Sequence, residues 1–180
     1  VGLKKVKGEW EDSNGYAFSR SLKGNIKADF CREVLALQNQ YSVANTDQRT
    51  QIAYKLGTYY YQASYKGGCW FITHYAWSTY DEQLPNEANF PEIARKYLLD
   101  ASNSNDKLTA YNSLFAQAYA SPEQLYEAEC DQNYNYIYVM NTQSAWYKNL
   151  KKLSNLAAVS AQLPEHISRC DYFKKVRTKK

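Results

Sequence analysis

Apolar positions recur along this chain at intervals of three and four residues far more often than at intervals of two. Ile26, Phe30, Val34, Leu37 and Tyr41 make one such stripe, and Ile52, Leu56, Tyr59, Tyr60 and Ala63 make another. That spacing puts each set on one face of an amphipathic helix. Between the two, Asn45-Thr46-Asp47 supplies N-cap chemistry for the second helix. A Gly67-Gly68 break follows, after which Trp70, His74 and Trp77 again lie at helical spacing. Neither of these last two helices can bury its apolar face alone, so the pair reads as one unit of a stacked array of helical hairpins.

The later pattern extends the array. Asp81–Asn89 carries Pro85 and reads as a loop, and Pro91 suits the first turn of a helix with Ile93, Tyr97 and Leu98 on one side. Ala101–Asp106 is a polar turn, and Leu108, Tyr111, Phe115 and Ala118 form the next stripe. Ser121-Pro122-Glu123-Gln124 has the chemistry of a helix start, with Ser as cap, Pro at the first position and Gln closing a capping box. Tyr134, Tyr136 and Tyr138 alternate with Asn135 and Ile137, a period that suits a short strand. With no partner strand evident, loop or helix is the expectation there. Thr142 is placed to cap a helix with Trp146, Leu150, Leu153 and Ala157 facing inward. Pro164 interrupts it, and a short last helix carries Ile167 and Tyr172. The sum is an all-α chain of about seven helices with no sheet. Residues 1–24 form an irregular lead-in, residues 25–175 one helical-repeat domain, and residues 176–180 a basic tail.

Composition changes the picture in one respect. Tyrosine occurs 18 times, beside 4 Trp and 6 Phe, while Met occurs once. A tyrosine ring packs while its hydroxyl seeks a partner or water, so this bias implies tyrosine-packed seams between helices or an aromatic binding surface. The net charge of +4 gathers at the ends, in Lys4, Lys5 and Lys7 and in Lys174, Lys175, Arg177, Lys179 and Lys180. Terminal basic runs are commonly solvated, and no basic stripe with interleaved aromatics points to nucleic acid. No apolar run approaches the ~20 residues that span a bilayer. The chain begins at Val1 rather than Met, as expected of a processed protein or a piece of a longer one. Cys31, Cys69, Cys130 and Cys170 are widely spread, with no zinc spacing. An even count permits zero, one or two bridges.

Leu56-Gly57 followed by Tyr60 resembles the L-G-x-x-Y core of a tetratricopeptide first helix, and Ala76 falls where the second helix wants a small residue. Glycine at that point lets two helices approach closely. The Trp slot holds Ala53 and the usual Phe slot Thr73, so the resemblance is to a tetratricopeptide-like array of antiparallel hairpins, a right-handed α-α superhelix. The run Gln62-Ala63-Ser64-Tyr65-Lys66-Gly67-Gly68-Cys69-Trp70-Phe71-Ile72-Thr73-His74-Tyr75 and the closing Ser168-Arg169-Cys170-Asp171-Tyr172-Phe173 resemble the C-terminal part of large, uncharacterised, all-helical envelope proteins of Gram-negative gut anaerobes. That resemblance, over residues 46–175, implies an exported protein, periplasmic or at the cell surface, and hence at least one disulfide. It implies no catalytic residues.

No constellation of residues names a reaction. Cys69 and His74 are five apart and do not share a helix face as a nucleophilic pair would. His166, between Glu165 and Ile167, reads as a solvated or capping residue. Asp81-Glu82 and Glu127-Glu129 are the nearest carboxylate clusters, expected as solvated charge at helix ends or faces rather than as a glycosidase pair. There is no phosphate loop, nucleophile elbow or metalloprotease motif. Trp70, His74, Tyr75, Trp77 and Tyr80 remain as binding candidates, because they do not all fit on one helix face. The expectation is a non-catalytic scaffold or binding module for another protein or peptide, using aromatic-lined grooves, with neither metal nor cofactor. The alternative is a glycan-binding surface protein using exposed Trp/Tyr platforms.

Overall fold

The computed structural model describes residues 25–73, 89–158 and 163–179. Seven α-helices and one two-stranded sheet occur among them: α1 (Ile26–Val43), α2 (Thr46–Ala63), α3 (Phe90–Ala101), α4 (Lys107–Ala120), β1 (Tyr126–Cys130), β2 (Tyr136–Met140), α5 (Ala145–Ala158), α6 (Glu165–Arg169) and α7 (Asp171–Thr178). The molecule is thus mainly helical, as its periodicity predicts. Each long helix starts where a short polar side chain satisfies the free backbone N–H groups of the first turn. Asn25, Asn45 and Asn89 accept from the amides of Ala28, Gln48 and Glu92 at 3.0–3.1 Å, and Asp106 accepts from Thr109 at 3.0 Å. At α5 the cap is Ser144, whose Oγ accepts from the Tyr147 amide at 3.1 Å, rather than Thr142.

Helices pack in chain order, α1 on α2, α2 on α3, α3 on α4 and α4 on α5, with α7 closing against α5. Val34, Leu37, Leu56, Tyr60 and Ala94 form the core of the first half. Tyr111, Leu114, Ala118, Leu125, Leu150, Leu153, Ile167, Phe173 and Val176 form that of the second. Leu114 takes the inward place on α4, while Leu108, expected on that stripe, is exposed. Gly57 does mark a close approach, but to α3. A Cβ built there would stand 2.6 Å from Leu98 Cγ and 3.2 Å from the Ala94 carbonyl oxygen.

Three expectations are corrected. Trp70–Ile72 is a single 3-10 turn, not the opening of an α-helix. It is folded back on the end of α2 by Cys69 N–H donating to Gln62 O (2.9 Å) and the Thr73 hydroxyl donating to Ala63 O (2.7 Å). Ser121 ends α4 instead of starting a helix. Its hydroxyl donates to Gln117 O at 3.0 Å, and its carbonyl accepts from Lys66 Nζ. The chain then bends through residues 122–125 into β1, which pairs antiparallel with β2, Ala128 opposite Tyr138, so there is a sheet. Glu127 and Glu129 accordingly stand on a strand, not on a helix. As for the bridge that the resemblance implies, Cys31 and Cys130 are exposed thiols, Cys170 is a partly buried one, and Cys69 is buried.

Burial pushes the hydroxyls of Tyr41, Tyr54, Tyr59, Tyr60, Tyr61 and Tyr119 above the ordinary tyrosine value. Tyrosines whose folded-state value is raised stabilise the fold fully below their unfolded value of about 10, and that stability is lost as pH climbs through the folded value. Urea unfolding should therefore show a lower midpoint at about pH 11 than at about pH 8. Equal midpoints would refute the burial of these hydroxyls.

Candidate functional site

Among the described residues, many tyrosines are used between helices. Gln38 on α1 donates to the hydroxyls of Tyr60 (3.1 Å) and Tyr97 (3.4 Å), whose rings stack at 5.9 Å. Tyr41 meets Tyr97 edge-on at 5.3 Å and donates to Asp100 Oδ2 at 2.8 Å. Arg49 lies over the Tyr41 ring and donates to both partners. This clasp joins α1, α2 and α3 across their seam. A second run of rings, Phe115, Tyr119, Trp146, Tyr172 and Tyr126, ties α4, α5, α7 and the base of β1. The His166 ring packs edge-on to Phe115 at 5.6 Å, its side chain at the surface.

Of the five binding candidates, Trp70 is 9% exposed and belongs to a core cluster with Ala63, Cys69, Phe71 and Ile72, so it is no platform. His74, Tyr75, Trp77 and Tyr80 lie outside the described residues, as do Ala76 and the Asp81-Glu82 pair.

Among the described residues the most exposed rings gather instead on the β1–β2 hairpin. Tyr134, Tyr136 and Tyr138 are 87%, 73% and 70% exposed. Cross-strand partners share a face and successive residues alternate. From the register, Tyr136 and Tyr138 therefore lie on one face with Cys130 and Ala128, while Ile137 and Val139 lie on the other with Glu129 and Glu127. Tyr126 and Met140 at the base pack against the second core, so the hairpin is anchored at one end and solvated on both faces beyond it. Its turn closes through the Tyr134 amide on Asp131 O (3.1 Å) and the Asp131 amide on Asn135 O (3.0 Å). The Asp131 carboxylate accepts from the amides of Asn133 and Asn135, and the Asn135 amide holds that carboxyl below the usual carboxylate range. Tyr134 stands at φ 63°, in the left-handed region where glycine is the usual occupant. Its ring is almost wholly exposed, so no packing offsets the strain.

Such strain costs about 1 kcal/mol. Tyr134→Gly should slow amide exchange in the hairpin about fivefold while leaving the global unfolding midpoint unchanged. Unaltered exchange would refute the strain.

From Ser121 to Asn141 there are four acids, Glu123, Glu127, Glu129 and Asp131, and no Lys, Arg or His. Glu123 accepts from the Ala145 amide, Glu127 from Asn141, and Asp131 is used in the turn. A separate open groove of about 470 Å³ runs along α5, lined by Tyr147, Lys148, Lys151, Lys152, Asn155 and Leu156. Among the described residues no group of three or more His, Cys, Asp or Glu is placed to hold a metal, and no helix is long and apolar enough to cross a membrane. The signal for the hairpin was the Tyr134–Tyr138 alternation after the turn-forming Asp131–Asn135. The absence of glycine at the strained position hid it. No protein-family model, curated protein or solved structure matches the chain.

Proposed function

We propose that this chain is a non-catalytic protein-binding module, a tetratricopeptide-like helical layer that presents a tyrosine-bearing hairpin to its partner. One observation carries the reading. Three tyrosine rings stand exposed together on a hairpin whose base is fixed in a core, while tyrosines such as Tyr41, Tyr60, Tyr97 and Tyr119 knit helices together. Tyrosine rings lose little side-chain freedom on binding, and tyrosine is among the residues that dominate protein interfaces. The Leu56-Gly57-Tyr60 seam, with Gly57 against Leu98, supports the tetratricopeptide-like description. An exported setting, as the resemblance implies, is part of this proposal.

The same rings could stack on sugar faces, so the test has two arms. Peptides selected from a displayed library on the intact chain should bind at least tenfold more weakly to the Tyr136→Ser/Tyr138→Ser variant. Circular dichroism should show that variant folded. A saturable fluorescence response to host or microbial polysaccharides, lost in the same variant, would move the function to glycan capture.

A further inference from the structure

Among the described residues no further strand pairs with the hairpin, which therefore has two open edges as well as two exposed faces. Asn141 N–H donates to Leu125 O, and Asp131 N–H to Asn135 O, so the odd-numbered residues 125 to 131 turn their backbone groups toward β2. In an antiparallel ladder the residues between them turn theirs outward. Ala128 and Cys130 therefore present N–H and C=O groups along the outer edge of β1, and residues 127–130 are all exposed. An isolated two-stranded hairpin is marginal in water, and a third strand completes it.

We infer that the outer edge of β1 accepts an extended segment of another protein as a third strand, with Lys or Arg alternating with apolar residues; this deepens the protein-binding reading and rests on it. The side-chain pattern sets the occupant. On one face the incoming strand's neighbours are Glu127 and Glu129, with Ile137 and Val139 behind them. Opposite charges on adjacent strands attract and like charges repel, so that face takes Lys or Arg. Glu129 has no hydrogen-bond or ion partner among the described residues, and Glu127 has only the Asn141 side chain. On the other face the neighbours are the small Ala128 and Cys130, flanked by Tyr136 and Tyr138. They leave room for a branched apolar side chain to lie against the rings. No basic residue between Ser121 and Asn141 opposes such a segment. Main-chain bonds would supply affinity and the two alternating rows the specificity, as in other strand additions.

The test is titration of the isotope-labelled full chain with ten-residue peptides, read from backbone amide shifts. The probes are an alternating Arg–Val peptide, its Glu–Val counterpart, and the Arg–Val peptide N-methylated along one edge or the other. The Arg–Val peptide should saturate shifts at residues 127–130. Glu–Val, and methylation of the edge facing β1, should each weaken it at least tenfold; methylation of the far edge should change it less than twofold. Glu127→Gln/Glu129→Gln should weaken it roughly tenfold, an effect that salt reproduces. Indifference to N-methylation, or shifts centred elsewhere, would overturn strand addition. Sedimentation showing the chain occupying its own edge would overturn the separate partner. If these peptides fail while library-selected ones still depend on Tyr136 and Tyr138, only the strand addition falls; if only a polysaccharide binds, the protein-binding reading falls with it.

Discussion

Gly57→Val is expected to lower the free energy of unfolding by about 3 kcal/mol, and Gly57→Ala by about 1–2 kcal/mol. Propensity alone argues the other way, since alanine in a helix interior is favoured over glycine by about 1 kcal/mol. The seam decides. A Cβ at this position would stand 2.6 Å from Leu98 Cγ and 2.8 Å from its Cδ2, far inside carbon contact distance. Leu98 is fully buried and cannot swing away, and the Ala94 carbonyl oxygen at 3.2 Å closes the other side. Urea denaturation should show the loss directly. In a Leu98→Ala background the colliding side-chain atoms are gone, so Gly57→Ala should become neutral or stabilising by up to about 1 kcal/mol. If the effect of Gly57→Ala is the same in both backgrounds, helix α3 does not limit residue 57.

Phe173→Ala should cost more, about 3–5 kcal/mol. Phe173 is 1% exposed and fills the second core beside Leu150, Leu153 and Ile167, with Val176 one turn on. Helix α7 is short and rich in charge, so this buried pair, with the Tyr172 ring against Trp146, is what docks it. Domains of this size have roughly 5–15 kcal/mol of stability in all, so the variant will approach unfolding near body temperature. Thermal melting checks this. A melting temperature within a few degrees of the parent would mean that α7 is ornamental to the core.

The helices were legible wherever a cap and a stripe agreed. Asn45 before Ile52 and Leu56 is such a local signal, and the structure uses it locally. Reading failed where a distant partner decides. Leu125 to Glu129 is composed of good helix formers after an apparent capping box. Yet Ser121 is held by Gln117 and Lys66, and β1 gains its ladder only by pairing with β2 ten residues later. Strand preference is largely a matter of such pairing, which no window across Ser121–Cys130 contains. The site suffered likewise. Trp70 has the composition of a platform, but the turn that returns Cys69 to Gln62 buries it, whereas the exposed tyrosines lay in a stretch read as loop or helix.

A short sheet with bare edges invites pairing with any unfolded neighbour, and charge is a common defence. Glu127 and Glu129 sit opposite Val139 and Ile137, the most aggregation-prone neighbours in the hairpin. Neither glutamate contributes to a core. Drift at these two positions is therefore constrained by solubility rather than by folding: neutral replacements would leave the melting temperature where it is and shorten the time a concentrated solution stays clear.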